Sequence, residues 1–197
     1  VCLQGLFGYL TVSLKLWPQV VTSHLFGGFL TTIILWVLYF RIKDVKGAEK
    51  QWNFSSGLLK LISIGIILVS VQIFLGAWTS TNYAALSCTD FPLCQGKFFP
   101  DIDFFGGFNL MQPIGASFLG GQLDHESRLA IHLTHRYGAL IVSFYILSLA
   151  FILYQNRYKK IGVYMACFLG LQIGLGVSNV VLHLPLLIAV GHNLGGL

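Results

Sequence analysis

Apolar residues run through this chain in long stretches, and the polar residues collect in the gaps between them. Pro18 to Phe40, Gly57 to Thr79, Arg128 to Leu153 and Lys160 to Val181 each reach the ~20 residues with which a helix crosses a bilayer. Two shorter stretches flank these, Val1 to Leu14 and Pro185 to Leu197. The pattern predicts an all-α integral membrane protein. Both ends fall inside apolar stretches and the first residue is Val, so the expectation is a portion of a longer helical bundle.

The polar positions inside the apolar stretches repeat. Gln4 to His24 spans 20 residues, as does Gln172 to His192. With an offset of 168, Gln4, Gly8, Leu14, Leu16, His24, Gly27 and Gly28 fall on Gln172, Gly176, Leu182, Leu184, His192, Gly195 and Gly196. Pro18 and Pro185 miss by one residue. The interval Gln72 to His135 is 63 residues, so the outer loop of that copy is about 43 residues longer. Three copies of one hairpin are expected: an outward helix ending Gln-x-x-x-Gly, a turn, and an inward helix that begins with a histidine. Parallel repeats of this kind are a known membrane architecture.

Composition agrees with the spans, and charge adds an orientation. The 197 residues are 55% hydrophobic and 10% charged, with a mean hydropathy of +0.76, too apolar for a soluble domain. The net charge of +5 does not point to nucleic acid, because of where the charges sit. Arg41, Lys43, Lys46 and Lys50 crowd one short connection, and Arg157, Lys159 and Lys160 another. Five of the seven acids (Asp90, Asp101, Asp103, Asp124 and Glu126) occupy one long loop, 82–126. Short basic connections mark the cytoplasmic side of a membrane, so the acidic loop is expected to face outward.

Ionisable residues inside membrane spans are rare and functional by default, which draws attention to three histidines. His24, His135 and His192 are each followed at i+3 and i+4 by small residues: Gly27 and Gly28, Gly138 and Ala139, Gly195 and Gly196. Those positions share the histidine's helix face, and a flat macrocycle could lie on a face so bare. His24 is six residues past Pro18, His135 seven past Arg128 and His192 seven past Pro185. At ~1.5 Å per residue each is expected about 10 Å below the outer end of its helix. Zinc is the rival metal, but it commonly adds Cys or carboxylate ligands, and no Asp or Glu lies within a span. Haem held between two imidazoles suits apolar walls better.

Other residues take supporting roles in this reading. His132 lacks the small pair and is expected beside the ligand, one turn nearer the outside. Arg136 and Arg128 sit at the outer mouth, where a guanidinium could pair with haem propionates or simply snorkel to the interface. Gln4, Gln72 and Gln172 are expected to hydrogen-bond between helices, and His125 and His183 to be solvated. Phe98, Phe99, Phe104, Phe105 and Phe108 could lie on the membrane surface or cap a pocket. Cys88 and Cys94 share the outward loop, where an oxidising compartment favours a disulfide. Cys2 and Cys167 are expected to pack as buried thiols.

With these residues assembled, the chain resembles the haem A synthase family, membrane enzymes that make haem a from haem o. The resemblance covers essentially the whole chain. It rests on Leu-Lys-Leu-Trp-Pro-Gln-Val-Val (14–21), Gly-Ala-Trp-Thr-Ser-Thr-Asn-Tyr-Ala-Ala-Leu (76–86) and Cys-Thr-Asp-Phe-Pro-Leu-Cys-Gln-Gly (88–96). It continues in His-Leu-Thr-His-Arg (132–136) and Gly-His-Asn-Leu-Gly-Gly (191–196). The resemblance implies an eight-helix bundle of two pseudo-symmetric halves, with residues 1–53 the remainder of the first half and 54–197 the second. It implies that His135 and His192 hold the iron of haem b, and that His24 is one ligand of the substrate haem. The partner of His24, and the catalytic glutamate of a Glu-x-x-His-Arg motif, would then lie upstream of Val1, leaving this portion inactive alone. The implied reaction oxidises a ring methyl of haem o to the formyl group of haem a, in the bacterial inner membrane with loop 82–126 on the periplasmic side. An electron-transfer partner is implied, haem o synthase is a candidate partner, and the sequence is compatible with a homo-oligomer. A di-haem b-type cytochrome without haem modification is the main alternative. A membrane thiol oxidase built on Cys88 and Cys94, and a transporter, are weaker ones.

Overall fold

A computed structural model describes residues 1–44, 54–118 and 122–196 of the chain. The described residues form seven helices: α1 (Cys2–Ser13), α2 (Pro18–Asp44), α3 (Ser56–Thr81), α4 (Phe104–Gly107), α5 (His125–Gln155), α6 (Lys159–Val181) and α7 (Leu186–Leu194). The bundle is all-helical and built for a membrane. Segments of α2, α3, α5 and α6 are long and apolar enough to cross one, with mean hydropathies from 1.7 to 2.4. Each long helix packs on the next in chain order, and α4 packs on α5.

Local chemistry sets the helix ends. Ser55 caps α3 by accepting the N–H of Leu58, Asp103 caps α4 through Gly106, and Asp124 caps α5 through Ser127. Each supplies an acceptor to one of the donors that the first helical turn leaves unpaired. Because Asp124 is the cap, α5 begins at His125, three residues before the expected Arg128, and His135 lies ten residues inside it. The histidines are therefore not matched by distance from their helix starts. α2 runs to Asp44, beyond the expected Phe40. Lys46 and Lys50 of the basic connection lie outside the described residues.

The helices α1, α3 and α6 stop in the same way. The N–H of Leu16 reaches back to the carbonyl of Thr11 at 2.8 Å, that of Ala84 to Thr79 at 2.9 Å, and that of Leu184 to Asn179 at 2.8 Å. This six-to-one closure is the Schellman form of helix termination, which needs one residue in left-handed conformation. Lys15, Tyr83 and His183 supply it, with φ of 51°, 54° and 57°. In the outer two hairpins a second such residue follows, Leu16 (φ 60°) and Leu184 (φ 61°), and turns the chain straight back. The middle copy omits that second residue and runs into the long loop.

That loop is folded rather than draped. It carries α4, the Cys88–Cys94 disulfide and a bridge between Cys94 and Lys97. Trp78 of α3 donates to the carbonyl of Gly107 at 2.9 Å, and packs with Ala84, Ile131, Phe74 and Phe108. The loop also reaches the turn of the first hairpin. There Trp17, Lys15 and Gln19 donate to the carbonyls of Gln112, Ala116 and Leu110, each at 2.9 Å. Another cluster ties the ends of α3, α5 and α6 remote from that loop through Leu149, Leu153, Tyr158, Leu58 and Leu61. Cys2 and Cys167 are exposed on the helix surfaces, not buried as expected: both lie on faces turned away from the neighbouring helices.

Candidate functional site

Each histidine meets its glutamine across a helix pair. Gln4 on α1 donates through Nε2 to the main-chain carbonyl of His24 on α2, at 2.5 Å. Gln72 on α3 does the same to His135 on α5, at 3.0 Å, and Gln172 on α6 to His192 on α7, at 2.8 Å. The amide lies on the glycine three residues beyond the histidine. A Cβ on Gly27, Gly138 or Gly195 would overlap the amide oxygen of Gln4, Gln72 or Gln172.

The histidine returns the contact. A Cβ on Gly8, Gly76 or Gly176 would stand 3.3, 3.1 or 3.0 Å from Cε1 of His24, His135 or His192. The two helices thus exchange side chains: glutamine onto a glycine of the histidine helix, imidazole onto a glycine of the glutamine helix. Between helices in lipid the usual apolar driving force is missing, so close approach at small residues and interhelical hydrogen bonds do the joining. Such a bond contributes ~0.6 kcal/mol on average, up to ~1.7. The first small residue after each histidine therefore receives the glutamine amide rather than offering a bare face. The spacing was legible; its occupant was not.

The three copies differ at one atom. The Gln72 amide nitrogen also lies 3.0 Å from Nδ1 of His135, whereas Nδ1 of His24 and of His192 is buried with no hydrogen-bond partner. The α5 and α7 helices both pack on α6.

His132 is buried one turn outward of His135, and its Nε2 accepts from Nε of Arg136 at 3.1 Å. The Arg136 guanidinium then spreads over the disulfide ring. Nη1 donates to the carbonyls of Asp90 (3.0 Å) and Leu93 (2.9 Å), and Nη2 to that of Cys88 (2.8 Å). The group offered by the sequence to a propionate holds down a loop. Arg128 donates to the carbonyl of Asp124 at 3.3 Å, at the start of its own helix. The disulfide is buried against Leu129 and Leu133, with Tyr137 packed alongside. Within the ring Asp90 accepts the backbone N–H groups of Gly96 and Gln95, at 2.9 and 2.8 Å. Those bonds, that of Gly96 foremost, with the Arg136 charge beyond them, hold its carboxyl below the ordinary value of 3.8. His125 is exposed, as expected, and touches the amide of Gln95. His183 is exposed as well.

Among the described residues no three His, Cys, Asp or Glu side chains converge as a metal cage.

The profile of the COX15-CtaA family, cytochrome oxidase assembly protein, matches residues 1–197. The chain belongs to this family. Haem A synthase of Shewanella oneidensis is 40% identical over 98% of the chain and 58% of its own length. That of Rickettsia bellii is 26% identical over 97% and 56%, and that of Wolbachia pipientis from Culex pipiens 28% identical over 84% and 46%. The chain thus spans about half the length of these relatives. The interhelical bonds of Gln4, Gln72 and Gln172 agree with the expectation from the sequence, whereas the glycine that receives each amide, and the hold of Arg136 on the disulfide ring, were not anticipated.

Proposed function

We propose that this chain is the greater part of a haem A synthase, the oxidoreductase that converts haem o to haem a. The observation that carries the proposal is the thrice-repeated seating of a histidine against a glycine, in a member of this family. Haem b would be held by His135 and His192, and the substrate haem by His24. The donor set fits: imidazoles on membrane helices, two of them with a buried Nδ1 that no protein group satisfies. When bound, haem b would supply one-electron transfer between a redox partner and the substrate macrocycle, whose ring methyl is oxidised to a formyl group.

The chain's own residues orient and enclose. The exchanged side chains fix the depth of each histidine, and the glycine beneath each ring lets the imidazole lie close to the neighbouring backbone. Arg136 and His132 tie the disulfide ring over the outer end of α5, with one guanidinium N–H remaining for a propionate. By the positive-inside rule the ring and loop 82–126 face the periplasm, with the bundle in the bacterial inner membrane. A second histidine would share the substrate haem with His24 and a glutamate would serve the reaction, both of them proposed to come from a Glu-x-x-His-Arg motif outside residues 1–197. Residues 1–53 would complete that half of the bundle, and 54–197 would form the haem b half. An electron-transfer protein and haem o synthase are the proposed partners, and self-association into a homo-oligomer is compatible with the apolar outer faces.

The test is His135→Ala and His192→Ala in the full-length protein. Each should abolish one low-spin haem signal and abolish production of haem a from supplied haem o, read by mass. Unchanged haem content would refute the ligand pair. Intact haem with no haem a formed by the wild-type protein would favour the di-haem cytochrome instead.

A further inference from the structure

We propose that the disulfide ring and the residues just after it seat Phe98 and Phe99 among lipids, at the boundary between headgroups and acyl chains on the loop's side of the membrane. One stripe of α5 leads there. Leu129, Leu133, Tyr137, Leu140, Ile141 and Phe144 recur at helical spacing, about half a circle around α5 from His135, which faces α3. The part of the stripe nearest the loop is covered: the disulfide packs on Leu129 and Leu133, with Tyr137 alongside. The rest is bare. Leu140, Ile141 and Phe144 are 66%, 64% and 77% exposed, on a helix long and apolar enough to cross the membrane, so their neighbour is lipid.

Phe99 lies where the cover ends. Its ring stacks on Tyr137 with centroids 5.7 Å apart, and the Tyr137 hydroxyl donates to the carbonyl of Phe98 at 2.6 Å. Phe98 and Phe99 are themselves 60% and 81% exposed. At ~1.5 Å per residue the 31 residues of α5 run about 46 Å, against ~30 Å of hydrocarbon. Counting ~20 residues back from Gln155, where the basic connection begins, places the edge of the apolar layer near His135. Tyr137 and the ring stacked on it stand at that edge, where aromatic side chains collect.

Irregular backbone at such a depth has to satisfy its own polar groups, and the ring does so. Cys94 and Lys97 exchange both backbone bonds, at 2.8 and 3.1 Å. The carbonyls of Cys88, Asp90 and Leu93 turn in to Arg136. The Asp90 carboxylate takes the N–H groups of Gln95 and Gly96. Lys97, exposed next to the two phenylalanines, has a stem long enough to carry its charge to headgroup phosphates. The seat in lipid requires no bound haem.

The experiment places the full-length protein in phosphatidylcholine vesicles doped with a phosphatidylcholine that bears a diazirine on its acyl chain, close to the glycerol. After illumination, lipid adducts are mapped by mass on the wild-type protein, so no variant has to fold. Phe98 and Phe99 should be labelled to a degree comparable with Leu140. Gln95, exposed beside His125 at the start of α5, should stay unlabelled. Labelling of Leu140 without Phe98 and Phe99 puts the loop in water and overturns the proposal. Equal labelling of Gln95 and Phe99 overturns it too, because the ring then has no defined depth. So does an unlabelled Leu140, which would mean that protein, a second copy or another subunit, covers the stripe.

Discussion

The middle hairpin, α3 with α5, and the first, α1 with α2, use the same exchange of glutamine and imidazole but are held together differently. In the first hairpin α1 has no buried residue at all. In the middle one α5 buries residues toward both its ends, among them Ser127, Leu129 and Leu133 near the long loop and Leu149, Ala150 and Leu153 far from it. The extra loop makes the outer part of that difference, supplying Trp78, Phe108 and the disulfide with a compact core of the kind soluble proteins have. The contrast teaches that one exchange of side chains recurs with and without a compact core above it, and that only the folded loop supplies that core.

The comparison breaks most visibly at the glycines. Gly27→Leu and Gly138→Leu both put a side chain where a glutamine amide lies, and overpacking of this kind costs about 1–3 kcal/mol. Only Gly27→Leu should separate its helices, read by cross-linking of cysteines introduced across each pair; equal separation would mean the loop adds nothing to pairing. Arg136→Ala acts on the middle hairpin alone. It leaves three loop carbonyls and His132 without their donor, and with ~1.5–3 kcal/mol for a bond to a charged group the loop should become protease-sensitive while α1 and α2 stay paired.

Acid sharpens the same contrast. Asp90 has its carboxyl held below 3.8 in the folded loop, so the folded state binds the proton less readily than the unfolded chain. Its contribution is complete above the ordinary carboxylate value and fades as pH falls through the lower folded one. Protection of the Gln95 and Gly96 amides from hydrogen exchange, taken relative to the intrinsic rate at each pH, should hold steady from pH 7 to about 5 and fall only below the ordinary value. A loss of protection already between pH 7 and 5 would exclude Asp90 as the cause. The smallest effect belongs to the third hairpin, where His183 occupies a left-handed position without glycine's freedom. His183→Gly should leave the turn intact and stabilise it by about 0.5 kcal/mol, the relief of strain less the added chain entropy, measured as a small rise in Tm.

Much of this architecture can be read from the chain before any coordinates. The four long spans, the two flanking helices and the three-copy repeat follow from apolar run length and from the recurrence of Gln, Gly and His, whereas α4 in the long loop has no such signal. The closing turns at Lys15, Tyr83 and His183 are different: three unlike residues, none of them Gly or Asn, adopt one conformation because of a backbone hydrogen bond five residues back. No residue-type signal announces it.

What the amino-acid order determined by itself was where helices form and which polar groups they carry, since both depend on near neighbours along the chain. Which glycine receives which amide, and whether Arg136 meets a propionate or a ring of carbonyls, was decided only by the packed structure. A guanidinium or a carboxamide accepts any suitable oxygen within reach, and reach is set by how helices rotate and how a loop 40 or more residues away in sequence, as for Arg136 and Asp90, folds back upon them.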